Sequence, residues 1–150
     1  MLGTKTVMNY ITCPTQCHAD CDACYEDYMS AGHRLSDYGL STAQAGVEYY
    51  MDVLNDYYAA SSWGQFALTP SYVYVNLDMD QDACGGYNHL GYYTEQLATD
   101  VDVMAMAAAG VAEADYDFHI FLIPNCPTAG FGGLGYIGLP HSAVNFQHMY

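Results

Sequence analysis

Apolar residues along the chain fall into two kinds of run, and the two kinds alternate. Thr4 to Thr12 (TKTVMNYIT) is β-branched and bounded by Gly3 and Pro14, which predicts a first strand. Ser41 followed by Gln44 has capping-box spacing and predicts a helix through about Ala60. Val47, Tyr50, Met51, Leu54, Tyr57 and Tyr58 recur at three and four residues there and should share its inner face. Ser71 to Leu77 (SYVYVNL) reads as a second strand. A second helix should open at Thr94, with Leu97, Val101, Met104, Ala105 and Ala108 as its buried stripe and Gly110 near its end. Phe118 to Ile123 (FHIFLI) is almost wholly apolar, as suits a central strand covered on both faces. Beyond Pro124 the chain turns to Gly, Pro and small residues, with short strands expected near Leu134 to Ile137 and Ala143 to Phe146.

Strand, helix, strand, helix, strand implies an α/β domain with a mixed, mainly parallel sheet and flanking helices. Residues 1–150 read as one such domain, without repeats or a linker. Residues 13–37, polar and cysteine-rich, read as an irregular stapled loop after strand one.

Composition narrows the choice of partner. Two basic residues, Lys5 and Arg34, stand against 17 acids for a formal net charge of −15. Nucleic acid and anionic membrane surfaces are excluded as partners, because their phosphates would find no counter-charges. The longest apolar run, Val103 to Ala112, is half the roughly 20 residues a membrane helix needs, so no span is expected. No signal peptide is visible at the N-terminus. Cys13, Cys17, Cys21, Cys24, Cys84 and Cys126 make an even count, which favours disulfides and an extracellular or cell-surface setting, with connectivity left open. The first, second and third strands are each followed by cysteines, so all six should meet at one rim of a parallel sheet.

Several motifs invite a chemistry that their context refuses. Gly133, Gly135 and Gly138 match G-x-G-x-x-G, but Phe118 to Ile123 ends ten residues earlier and Pro140 prevents a helix from following. Cys17, Cys21 and Cys24 copy the C-x₃-C-x₂-C spacing of radical SAM clusters. The chain is too short for the partial barrel such clusters sit in, so disulfides are the preferred reading. Asp78, Asp80 and Asp82 alternate like the first half of a calcium loop, yet Ala83 and His89 replace the glycine and glutamate it requires. A solvated acidic turn is the plainer reading, with calcium as its alternative. Of six histidines, no two lie four apart, and no His-Glu-x-x-His or Gly-x-Ser-x-Gly occurs. His119 reads as a hydrogen-bonded core residue, and His141 and His148 as a pair able to face each other.

Four stretches, taken in order, add a resemblance. They are Gly3-Thr-Lys-Thr-Val7, Tyr58-Ala-Ala-Ser-Ser-Trp-Gly-Gln-Phe-Ala-Leu68, Asp115-Tyr-Asp-Phe-His-Ile-Phe-Leu-Ile-Pro124 and Gly132-Gly-Leu-Gly-Tyr-Ile-Gly138. Together they resemble the N-terminal half of a metzincin zinc-peptidase catalytic domain, of the gametolysin family of secreted, cell-wall-lysing hydrolases. The resemblance implies a metzincin-like upper subdomain, with Gly133, Leu134, Gly135 and Tyr136 on an edge strand that borders a substrate cleft. An extended peptide would bind there. The family's zinc-binding His-Glu-x-x-His follows that strand, and Tyr150 is reached before it. Zinc is therefore expected only in a longer chain, and this one is expected to be inactive as it stands. The alternative is a non-enzymatic surface protein that pairs the same edge with a neighbouring subunit.

Overall fold

The structure, a computed structural model, describes residues 3–27, 34–78, 95–124, 133–135 and 138–145. The elements are β1 (Gly3–Cys13), α1 (Cys21–Asp27), α2 (Ala43–Ser61), β2 (Phe66–Asn76), α3 (Glu95–Ala109), β3 (Phe118–Ile123), β4 (Gly133–Gly135) and β5 (His141–Asn145). They build one five-stranded sheet in the order β2-β1-β3-β5-β4. Four strands run parallel, and only β4, at the margin, is antiparallel to its neighbour β5.

β1 organises the sheet. It pairs with β2 from Gly3↔Phe66 to Cys13↔Asn76 and with β3 from Val7↔Phe118 to Ile11↔Leu122. Parallel partners cannot be joined by a tight hairpin; α1 and α2 lie between β1 and β2, α3 between β2 and β3, and β4 between β3 and β5. Side chains alternate between faces, and the two faces bury separate clusters. Met8, Tyr10, Val75, Phe121, Ile123 and Ala143 pack with Val101 and Ala105 of α3. Val7, Ile11 and Leu122 pack with Ala43, Val47 and Met51 of α2 and with Tyr25 of α1.

The helices differ from the sequence reading in ways that packing explains. Thr42, rather than Ser41, caps α2, accepting from Ala45 N at 3.1 Å. Gln44 donates to Glu48 Oε1 at 2.9 Å, so no reciprocal box forms. Val47 and Met51 are buried and Tyr50 and Leu54 half-buried, but Tyr57 is 65% exposed. In that last stretch it is Tyr58 that turns to the sheet, its ring 5.1 Å from Phe66 of β2, while Tyr57 points away. On α3 the buried stripe is Val101, Asp102 and Ala105, with Met106 and Ala109 partly covered, while Met104 and Ala108 face outward. The helix is rotated so that a carboxylate, not a methionine, meets the sheet. Thr94 and Leu97 lie outside the residues and side chains described. Gly110 ends α3 at φ +67°, as a glycine can without strain.

β2 starts five residues earlier than expected and includes Pro70. It can do so because β2 is an edge strand, where a missing N–H costs no ladder bond. The segment 13–37 is more ordered than a stapled loop: it holds 3₁₀ turns at Thr15–Cys17 and Leu35–Tyr38 as well as α1.

These faces set an expectation for stability. Met51→Ala should cost about 2–5 kcal/mol in urea denaturation by opening a cavity between α2 and the sheet. Tyr57→Ala on the same helix should cost less than about 0.5 kcal/mol.

Candidate functional site

The two margins of the sheet are not equivalent. Along β2, alternate residues present their backbone groups outward, and three in succession are closed. Phe66 N donates to Ser62 Oγ at 3.0 Å. At Leu68, the Asn55 side chain mimics a neighbouring strand: Leu68 N donates to Asn55 Oδ1 at 2.7 Å, and Asn55 Nδ2 donates to Leu68 O at 2.9 Å. Pro70 then offers no donor at all. The opposite margin is β4, paired with β5 through Gly133↔Val144, Leu134↔Ala143 and Gly135↔Ser142. Among the described residues, nothing pairs with its outer side.

β4 is shorter than the strip read from sequence. Gly133, Leu134 and Gly135 are extended, Tyr136 lies outside the described residues, and Gly138 has already turned at φ +84°. Leu139 and Pro140 complete that turn, and His119 N donates to Pro140 O at 2.8 Å, which fixes where β5 begins. A Cβ built on Gly135 would meet no atom within 4 Å, so backbone can approach closely there. Beside it, on the α2 face, opens a groove of about 360 Å³ lined by Leu54, Tyr58, Phe66, Phe118, Ile120 and Leu139. On the α2 face Leu122 of β3 is buried, whereas Phe118 and Ile120 of β3 and Ser142 and Val144 of β5 are only partly covered. This arrangement can hold an extended chain by its main chain and seat an apolar side chain beside Gly135.

The rim beyond β1 is built from cysteines. Cys13–Cys21 and Cys17–Cys24 are disulfides, with Cα separations of 5.6 and 5.7 Å. Four of the six cysteines thus meet at one rim; Cys84 and Cys126 lie outside the described residues. The bridges consume the three thiols of the C-x₃-C-x₂-C spacing, which rules out a cluster on them. They also place Tyr25, whose buried hydroxyl lies 2.9 Å from Thr12 O and 3.0 Å from Leu122 O. His18 Nε2 sits between Cys13 O and Leu77 O at 3.1 and 3.0 Å. Asp22 accepts from Ala43 N at 2.8 Å and from the Tyr74 hydroxyl at 2.6 Å, tying α1 to the start of α2 and to β2. Burial, then this bond to Asp22, pushes Tyr74 up to about 12.

Compared with protein families, with curated proteins and with solved structures, the chain matches no family model, no curated protein and no solved structure.

Polar groups also gather under α3, a cluster of which the sequence reading named His119 and His141 but not Asp102. His119 is buried, with Nδ1 2.7 Å from the Tyr10 hydroxyl and Nε2 3.0 Å from Glu113 O. Nε2–H must donate to that carbonyl, so Nδ1 accepts from Tyr10, whose ring stacks on Phe121 at 4.6 Å. Burial raises the Tyr10 phenol, with Tyr116, Asp115 and Asp102 adding to the shift, so it remains a donor. His141 Nδ1 lies 3.2 Å from Asp102 Oδ2, and His148, expected to face it, lies outside the described residues. Asp102 was missed because a single acid on a helix carries no sign of the face it will occupy.

None of these groups makes a metal centre. His141 Nε2 and Glu113 Oε1 are 3.9 Å apart, and among the described residues no three ligating side chains converge. Zinc has no fitting site among the described residues. Asp78 is exposed after β2; Asp80 and Asp82 lie outside the described residues.

Peptide mapping without reduction should recover Cys13–Cys21 and Cys17–Cys24. Replacing either pair by alanine should cost roughly 2–3 kcal/mol in denaturation, for loops of this length.

Proposed function

We propose that this chain is the peptide-aligning half of a secreted, extracellular zinc metalloendopeptidase of the gametolysin type. The observation that carries the reading is the placement of β4. The segment assigned to the substrate-bordering edge on resemblance alone lies at the sheet's margin, antiparallel to β5, beside an apolar groove. The opposite margin is closed at three successive outward positions. In this reading the backbone of Gly133, Leu134, Gly135 and Tyr136 adds the substrate as a further strand, and main-chain hydrogen bonds supply affinity. The groove beside Gly135 prefers apolar side chains. Hydrolysis requires the zinc ligands and general base of a His-Glu-x-x-His helix, which the chain does not contain.

One observation favours a second reading, a surface protein that assembles through the same edge. From Pro127 to Asn145 there is no Asp, Glu, Lys or Arg to guard the strand, and an unguarded edge pairs readily with another copy.

Two measurements separate these readings. If the coding sequence continues beyond Tyr150 into His-Glu-x-x-His, protein including that helix should cleave extended apolar peptides in a chelator-sensitive way. A frame without the motif sinks the protease reading. Gly135→Val should fold normally, since its Cβ meets open space, yet weaken an extended apolar peptide at least tenfold by calorimetry. Under the assembly reading, the same change should instead abolish concentration-dependent association in sedimentation.

A further inference from the structure

The least expected side chain in this protein is Asp102. It sits on the inner face of α3 at 2% exposure, in a chain with only two cationic side chains. Neither comes near: Lys5 lies against Asp117 at 3.6 Å, and Arg34 caps the Leu35–Tyr38 turn beside the other cluster. A buried carboxylate without a cation carries a large desolvation cost. Among the described residues its one side-chain hydrogen-bond partner is another titratable group, His141 Nδ1 at 3.2 Å, on the first residue of β5.

Every element around the pair brings ionisable groups. α3 supplies Asp102, the turn Glu113–Asp115 supplies Glu113 and Asp115, and Tyr116 follows it. β3 contributes His119, whose ring lies 5.3 Å from that of His141, and β1 contributes Tyr10. Asp102 Oδ1 and His141 Nε2 are buried and have no hydrogen-bond partner among the described residues, and Glu113 Oε1 is 3.9 Å from that Nε2. Among the described residues the pair is therefore satisfied through one contact alone, and with Nε2–H kept toward Glu113 a hydrogen bond across it requires a proton on Asp102 or on Nδ1.

We propose that Asp102 and His141 form a single-proton latch that fastens α3 to β5, closed while the pair holds one proton and loosened when it holds none. With one proton, Asp102 O–H donates to His141 Nδ1, and the ring's own N–H points from Nε2 toward Glu113. Loss of the proton leaves a buried carboxylate. The ring can then donate to it from Nδ1 only by turning a bare Nε2 lone pair toward the Glu113 carboxylate. β5 is the strand that carries the edge, since Ser142, next to His141, pairs with Gly135 of β4. The latch does not depend on what the edge binds, so its test stands apart from that of the protease reading.

The direction of the pH effect follows from burial. Asp102 is pushed up to about 8 from an ordinary 3.8, so between those limits the folded protein holds a proton that the unfolded chain has released. Stability from this group therefore falls as pH rises, levelling off above about 8. His141 is lowered, chiefly by burial and despite Glu113, so it erodes stability as pH falls below about 6.5. Between about 6.5 and 8 the Asp102 effect stands alone, and the unfolding constant should rise by up to about tenfold per pH unit.

The experiment compares urea unfolding of the wild type and Asp102→Asn from pH 6 to 9, with the His141 ring followed by NMR in the wild type. Hydrogen exchange of α3 and β5, corrected for intrinsic rate, locates the change. The latch predicts a steep wild-type slope that the Asn variant lacks, His141 ring shifts moving near pH 8, and protection lost first at the α3–β5 contact. Parallel slopes in the two proteins would overturn it. If the variant does not fold, the wild-type ring decides: shifts that change only at or below pH 6.5 refute the latch.

Discussion

Parallel pairing of β1 to a strand on each side is the constraint from which the rest of this structure follows. Parallel neighbours must be joined by crossovers, and here those crossovers put α2 on one face of β1 and α3 on the other. β1 is consequently buried on both faces from Val7 to Cys13, polar residues included. Asn9, Tyr10 and Thr12 could not remain there without partners. Asn9 Nδ2 donates to Ser71 O at 3.2 Å, Tyr10 reaches His119, and Thr12 Oγ1 donates to Leu122 O. Each contact ties β1 to a strand beside it, so the polar residues reinforce the pairing that buried them.

A sheet built outward from a central strand ends in two margins, and the protein treats them differently. The β2 margin carries a helix-borne amide and a proline. The β4 margin carries alternating glycine and an apolar groove. Selection against edge-to-edge association would be expected to guard both margins. Closing one and leaving the other accessible to backbone is consistent with a margin kept for a partner chain, substrate or subunit.

Charge is the second economy of this molecule. With 17 acids and two bases, most carboxylates must find partners other than lysine or arginine. Half-buried Asp22 takes a backbone amide and a tyrosine hydroxyl, and at the surface Asp117 takes the backbone amide and hydroxyl of Thr6, which together with nearby Lys5 hold its carboxyl low. Asp102 has a histidine alone. An acid held this way responds to pH in the range where histidine itself can change.

Much of the architecture was legible along the chain because it depends on local period. Phe118 to Ile123 is a strand at the expected residues, β1 differs by a residue at each end, and α2 and α3 lie where the three-and-four spacing put them. The cysteines announced disulfides near strand one, and a short strand was expected near Leu134, which the family resemblance alone placed at an edge. What periodicity could not supply was rotation, extent and company. A three-and-four repeat gives a helix an apolar side but not the width of that side, so Tyr57 was counted as core and stands in solvent. It does not fix the helix's exact rotation, so Val101 and Ala105 are buried as expected while Asp102 takes the inward place expected of Met104. Pro70 falls outside the expected strand and inside the observed one because its tolerance depends on lying at a margin, and margins exist only once strand order is set. Local composition determined the elements and the disulfides near strand one. The contacts among Asp102, His141, Glu113 and His119, separated by up to 39 residues, were decided by the crossovers of the sheet, because only long-range packing brings groups that far apart in sequence into one dielectric environment.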